Sequence, residues 1–167
     1  MSVTVRSARA EDDDALRRID RETWSTLTSP GPLPPADRRF FDPPEQVSDV
    51  LVAEVDGAVV GYVRLQRATP LEASRYVQTV NGIAVDPEAQ GRGVGRALMT
   101  AAIEEARGRG ARKVSLRVLG HNERARALYE RCGFVVEGVL RGEFHLDARD
   151  VDDVLMALPL RHVPEPS

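Results

Sequence analysis

Residues 85–107 read VDPEAQGRGVGRALMTAAIEEAR, and this stretch places glycines at positions 91, 93 and 95 directly before a helical pattern. Each glycine costs about 1 kcal/mol of helix propensity relative to alanine. The glycine run contains no Ser, Thr or Asp that would cap the helix. The first backbone N–H groups of the helix therefore need another acceptor, and three unfavourable residues at this point indicate a compensating role.

A bound anion would supply the missing acceptor. A helix N-terminus carries an effective charge of roughly +0.5, and its exposed N–H groups converge on one point. Glycine removes the Cβ atoms that would hold a bulky phosphate away from the backbone. Arg92 and Arg96 add positive charge at the same place. The alternative interpretation is a glycine-rich turn that binds no ligand.

The spacing of the glycines differs from two common nucleotide-binding loops. The triphosphate loop G-x-x-x-x-G-K-[ST] needs a Lys-Ser or Lys-Thr pair, which does not follow here. The dinucleotide motif G-x-G-x-x-G fails because the third glycine comes one residue too early. Neither ATP nor NAD is predicted as the ligand.

Length and composition restrict the class of protein. The 167 residues suit one domain. A net charge of -3 argues against a nucleic-acid-binding module, which is usually basic. The sequence has no apolar run of the roughly 18 residues that span a bilayer and no secretory signal pattern, so we predict a cytoplasmic protein that does not contact membranes. One cysteine and three scattered histidines predict no disulfide and no metal site.

The hydrophobic pattern predicts a mixed α/β sheet covered by helices. The pair Asp56-Gly57 marks a hairpin turn, and Asn81-Gly82 marks a bulge within a longer strand. A proline-rich loop, residues 28–46, interrupts the N-terminal half. The predicted strands are residues 3–8, 50–55, 58–65, 76–85, 113–119, 134–141 and 153–159, and the predicted helices are residues 12–26, 94 to about 107–110, and 122–132.

Two motifs resemble those of one family. Gln90, Gly93 and Gly95 match the Q/R-x-x-G-x-G/A signature of the GNAT acyl-CoA N-acetyltransferases, and NERARALYERCGF at residues 122–134 resembles their second motif. The resemblance covers residues 76–160. It implies the GNAT fold, with a mostly antiparallel sheet of six to seven strands, splayed at its central strand and flanked by about four helices. One domain would span residues 1–160, followed by a flexible tail at residues 161–167.

The resemblance also implies acetyl-CoA as the co-substrate. Its pyrophosphate would lie on the glycine run, and its pantetheine arm would pair with the backbone of the splayed strand like an added strand. Asn122 would contact that arm, although an N-cap role alone also explains an asparagine there. The implied binding residues are Ile83, Ala84, Val85, Gln90, Gly91, Arg92, Gly93, Val94, Gly95, Arg96, Asn122 and Tyr129.

Tyr129 and Cys132 both follow the apolar spacing of their helix, so each could simply pack in the core. For Tyr129 the resemblance implies the general acid that protonates the departing thiolate. Cys132 is interpreted as a small buried residue and is disfavoured as an acyl-carrying nucleophile, because no histidine lies near it in sequence.

The motifs do not identify the group that accepts the proton of the amine. A lysine-like amine, with a pKa near 10.4, is protonated at neutral pH and must lose a proton before it attacks. Family members often carry a glutamate where this chain has Thr79 and Arg117. The remaining candidates are water relayed from Asn81 and backbone carbonyls, or Glu143 or His145 from a loop after residues 138–142, where an exposed charge with no such role is the alternative.

These observations predict an N-acetyltransferase that moves the acetyl group of acetyl-CoA to a small-molecule or peptide amine by direct attack. The backbone N–H of Val85 would hold the thioester oxyanion. Trp24 and the pair Phe40-Phe41 either line the acceptor pocket or anchor the proline-rich loop. The family often pairs through its C-terminal strands, which allows a homodimer. The missing carboxylates motivate one alternative, a non-catalytic acyl-CoA-binding sensor.

Overall fold

A seven-stranded mixed sheet forms the centre of the computed structural model, which describes residues 2–160. The strand order is β1-β2-β3-β4-β5-β7-β6, and every neighbouring pair is antiparallel except β4 with β5. The strands are β1 Val3–Ser7, β2 Val50–Val55, β3 Ala58–Arg67, β4 Val77–Val85, β5 Lys113–Leu119, β6 Val135–Leu146 and β7 Arg149–Pro159. The predicted fold class is confirmed. The proposed tail, residues 161–167 with His162, lies outside the described residues.

Three α-helices cover the two faces of the sheet within residues 2–160: α1 Asp13–Thr23, α2 Val94–Gly108 and α3 Glu123–Arg131. Helix α2 buries Leu98, Met99 and Ala102 completely in the larger core cluster. Helix α1 buries Leu16 and Ile19 in a second cluster on strands β2 and β3. Helices α1 and α2 therefore bury side chains of the neighbouring strands β2 and β3 in two separate clusters.

Strands β4 and β5 separate halfway along their length. They pair only from Val77 opposite Lys113 to Val80 opposite Leu116, and then diverge. On the other side of β4 the register moves from Leu65 opposite Val80 to Val63 opposite Ile83, so β4 uses one more residue than β3. That extra residue lies at Asn81-Gly82, where Gly82 has φ of 119°. The predicted bulge is confirmed, and the edge of β4 that faces β5 is left open beyond it.

The C-terminal hairpin differs from the prediction. Glu143 and His145 were expected in a loop, but both lie on β6, which continues to Leu146. The register shift between Leu140 and Phe144 absorbs the residues that look like a loop in the sequence. The true turn is Asp147-Ala148, and both of its residues have positive φ without a glycine to signal it. The strand predicted to end at residue 141 therefore continues to Leu146.

Candidate active site

A cleft of about 1100 Å³ opens where β4 and β5 diverge. One end lies against residues 90–96, called the glycine loop below. The other end lies against α1 and the proline-rich loop. All predicted binding residues line this cleft except Arg92. The cleft thus runs without interruption from residues 90–96 to α1, and this shape suits a long molecule with a charged group at one end.

The glycine loop leaves the N-terminus of α2 uncapped. Gly93 is the N-cap residue, in the left-handed region with φ of 81°, and no side chain caps the helix. Gly91 has φ of 77°, and a Cβ at either glycine would meet no atom within 4 Å. Gly95 has a different reason, since its Cβ would lie 3.3 Å from Leu128 Cδ2 of α3. Two glycines therefore shape the loop, and the third lets α3 pack against α2.

Positive charge surrounds this end of the cleft. Arg96, Arg124 and Arg131 all line it. Arg124 donates a hydrogen bond of 2.9 Å to Gln90 Oε1, while Gln90 Nε2 donates one of 3.0 Å to Val85 O. The Gln90 amide thus links the end of β4 to α3. This cluster in an acidic protein favours an anionic ligand beside the helix end.

Tyr129 lines the cleft from α3 and is only 7% exposed. Its ring lies 6.1 Å from that of Phe134, and among the described residues no hydrogen-bond partner is found for its hydroxyl. Burial raises the pKa of Tyr129 to about 12, because the phenolate would lose its hydration. The group is therefore a phenol at neutral pH and can only donate a proton.

The two residues that flank α3 have clear structural roles. Asn122 is the N-cap as expected, since its Oδ1 accepts a 3.2 Å hydrogen bond from Ala125 N, and it also lines the cleft. Cys132 is a half-buried free thiol, and burial raises its pKa. A thiol that resists ionisation is a poor nucleophile. The structure gives Cys132 no feature of an acyl carrier.

The end of the cleft that lies against α1 shows which of the aromatic residues line the cleft and which anchor the proline-rich loop. Trp24 lines it, and its Nε1 donates a 3.0 Å hydrogen bond to Gly31 O of the proline-rich loop. Phe41 is instead buried in the second core cluster, and the ring of Phe40 stacks edge-on against Tyr62 at 4.8 Å. The aromatic pair anchors the loop, and Trp24 forms the wall.

The carboxylates in the cleft are not those that the sequence suggested. Glu143 does not line the cleft, and His145 is exposed and contacts Asp150 at 3.0 Å. Asp20 and Asp153 line it instead. Asp20 Oδ1 accepts a 2.6 Å hydrogen bond from the Tyr62 hydroxyl.

Sequence reasoning missed Asp153, although a signal for it exists. On β7 it shares a strand face with Val151 and Leu155, and an acid within an apolar alternation is unusual. Thr79 and Arg117, at the positions where a carboxylate was expected, line the same cleft. Strands β4 and β5 carry no carboxylate, whereas Asp153 on β7 places one in the wall of the same cleft.

The described residues contain neither a candidate metal-binding cluster nor a candidate membrane-spanning helix. No group of three His, Cys, Asp or Glu side chains there could hold a metal ion. No helix within residues 2–160 is both long and apolar enough to cross a membrane.

Comparisons with known proteins agree with this geometry. The family model described as Acetyltransferase (GNAT) family matches residues 14–134. Phosphinothricin N-acetyltransferase of Alcaligenes faecalis is 32% identical over 163 residues, which are 94% of this chain and 82% of that protein. Mycothiol acetyltransferase of Beutenbergia cavernae is 46% identical over 79 residues, but the match spans 47% of this chain and only 25% of that protein. A solved structure of a GNAT superfamily phosphinothricin acetyltransferase from Sinorhizobium meliloti, in complex with AcCoA, is 25% identical. It superposes with a TM-score of 0.85 over 96% of this chain and 89% of that one.

Proposed function

Because the chain belongs to the GNAT acetyltransferase family, we propose that it transfers the acetyl group of acetyl-CoA to a primary amine by direct attack. The observation that carries this proposal is the uncapped N-terminus of α2, which faces a cleft continuing along the open edge of β4. An anion on the helix end and a strand-like arm on β4 fit the two halves of acetyl-CoA. Residues 1–160 would form the single catalytic domain. A cytoplasmic location stays a prediction.

Each step of the transfer has a candidate group in the cleft. The amine lone pair attacks the thioester carbon, and the backbone N–H of Val85 stabilises the oxyanion. Tyr129 donates its proton to the sulfur as the C–S bond breaks. Asn81 lines the cleft and could hold a water that carries protons away. Glu143 lies outside the lining residues, so any part in proton transfer would have to be indirect.

The test is transfer itself. Purified protein with acetyl-CoA should release CoA thiol in the presence of at least one amine from a panel of phosphinothricin, L-methionine, spermidine and an N-terminal alanyl peptide. Mass spectrometry should find the acetyl group on the amine and none on the protein. Tight binding of CoA without transfer to any amine would support the sensor alternative. An acetylated protein intermediate would exclude direct attack.

We also propose that β6 pairs two copies of the chain. It is the last strand of the sheet, so one of its edges has no neighbour among residues 2–160. Four of its apolar side chains are exposed by 38–57%, an unusual cluster for a monomer surface. These residues are Val135, Val136, Val139 and Leu140.

We expect sedimentation to show a dimer at micromolar concentration, and Val139→Asp to shift the chain to a monomer, since each dimer would bury two added charges. The matched control is Leu71→Asp, because Leu71 is 66% exposed and lies far along the chain from β6. It should leave the dimer intact. A wild-type monomer, or equal effects of the two substitutions, would contradict the proposed interface.

A further inference from the structure

We propose that Asp153 binds the ammonium group of the acceptor and takes its proton before the amine attacks. This inference rests on the acetyltransferase function proposed above and names its missing proton acceptor. It identifies the acceptor class as a primary amine that arrives as a cation.

The position of Asp153 is central to the C-terminal half of the sheet. On β7 it lies opposite Leu119 of β5 and opposite Leu140 of β6. The residue is 3% exposed, yet it lines the cleft together with Phe144. A carboxylate so placed lies in the wall of the cleft and is shielded from bulk water.

The hydrogen-bonding capacity of Asp153 is unmet. Its Oδ2 is buried and has no hydrogen-bond partner among the described residues. The nearest cation is Arg117, whose Nε lies 3.4 Å from Oδ2 without the alignment of a hydrogen bond. The Arg117 side chain is 63% exposed and therefore stabilises the carboxylate only weakly. A buried carboxylate oxygen without a donor is costly, and an ammonium group would supply the donor.

Two other acids, Asp12 in the core and Asp20 in the cleft wall, already accept hydrogen bonds from neighbouring side chains. Asp12 accepts hydrogen bonds of 2.8 and 2.9 Å from both terminal nitrogens of Arg6. Asp20 accepts the hydroxyl of Tyr62. Of these three acids, Asp153 alone has a buried oxygen without a hydrogen bond among the described residues.

The proton transfer balances with the groups already named. One N–H bond of the ammonium breaks and an O–H bond forms on Asp153, which leaves a neutral amine. Its lone pair forms the C–N bond, and the C–S bond breaks as Tyr129 protonates the sulfur. The nitrogen then loses one more proton, which restores Tyr129 through water. The proton on Asp153 leaves to solvent, so each turnover releases one proton, one amide and one thiol.

The test compares Asp153→Asn with Asp152→Asn. Asp152 is the neighbouring residue on β7, where it accepts a hydrogen bond from Gly142 N, and it does not line the cleft. For the best acceptor of the four-amine panel, Asp153→Asn should raise KM at least 30-fold and lower kcat, with the Kd of CoA unchanged within twofold. Asp152→Asn should change none of these values. An unchanged acceptor KM in Asp153→Asn, or an equal loss of CoA affinity, overturns the proposal.

A second variant gives an effect of opposite sign and does not disturb the core. Arg117→Gln removes, from an exposed position, the one cation that is paired with Asp153 among the described residues, so the acceptor ammonium should bind more tightly and its KM should fall two- to fivefold. A rise in that KM contradicts the proposal even if Asp153→Asn does not fold. If wild-type protein acetylates no amine of the panel, the acetyltransferase function fails and this inference fails with it. If wild type and Asp153→Asn acetylate equally, only the inference fails.

Discussion

Replacing Gly93 by valine is expected to weaken CoA binding at least 100-fold, which corresponds to about 2.7 kcal/mol. The backbone of Gly93 has φ of 81°, and its Cβ position is open space at the mouth of the cleft. A valine there would occupy the volume that we propose for the pyrophosphate beside the N-terminus of α2. Calorimetric titration with CoA measures the loss directly.

The control for this substitution lies at the other end of the same helix. Gly110 has φ of 78° and also has no atom within 4 Å of its Cβ position. Gly110→Val should therefore destabilise the fold as much as Gly93→Val does, by about 1–3 kcal/mol. Its affinity for CoA should equal that of wild type. Equal CoA affinities in the two variants would show that the glycine loop does not hold the pyrophosphate.

Sequence reasoning succeeded where the chemistry of one residue type fixes the backbone. Asp56 and Gly57 both have positive φ, as their hairpin turn requires, and the structure has the turn where the sequence places it. Gly82 likewise marks the bulge that opens the edge of β4. In these cases the residue type alone indicates the backbone conformation, because few residues tolerate a positive φ.

The sequence-based predictions failed at positions where contacts between strands determine the backbone conformation or the burial of a side chain. The Asp147-Ala148 turn adopts positive φ without glycine, because the pairing of β6 with β7 on both sides imposes it. Asp153 is buried by neighbours on two other strands, so the apolar alternation of β7 marks it as an unusual acid but does not show that it reaches the cleft. The aromatic pair near residue 40 anchors a loop through Tyr62, more than twenty positions away. A sequence alone does not give such long-range contacts.

Tyr129→Phe is expected to lower kcat by 10²-fold or more and to leave CoA affinity unchanged. General acid catalysis typically contributes 10²- to 10⁴-fold, and the phenylalanine ring keeps the contact with Phe134. Because the phenol is buried and its pKa lies near 12, Tyr129 stays protonated until the pH approaches that value. Any fall of kcat between pH 7 and 10 must then have another origin. Single-turnover kinetics, with chemistry isolated from product release, measures the effect.

The stability of this variant separates a catalytic role from a structural one. A buried hydroxyl without a hydrogen-bond partner contributes little, so Tyr129→Phe should change the free energy of unfolding by less than about 0.5 kcal/mol. The control is Tyr76→Phe, since the Tyr76 hydroxyl accepts a 2.8 Å hydrogen bond from Arg75 and does not line the cleft. It should retain wild-type kcat. If Tyr129→Phe retains it as well, with chemistry limiting, the proton that leaves with the thiol comes from water, and the phenol serves only to close the wall of the cleft.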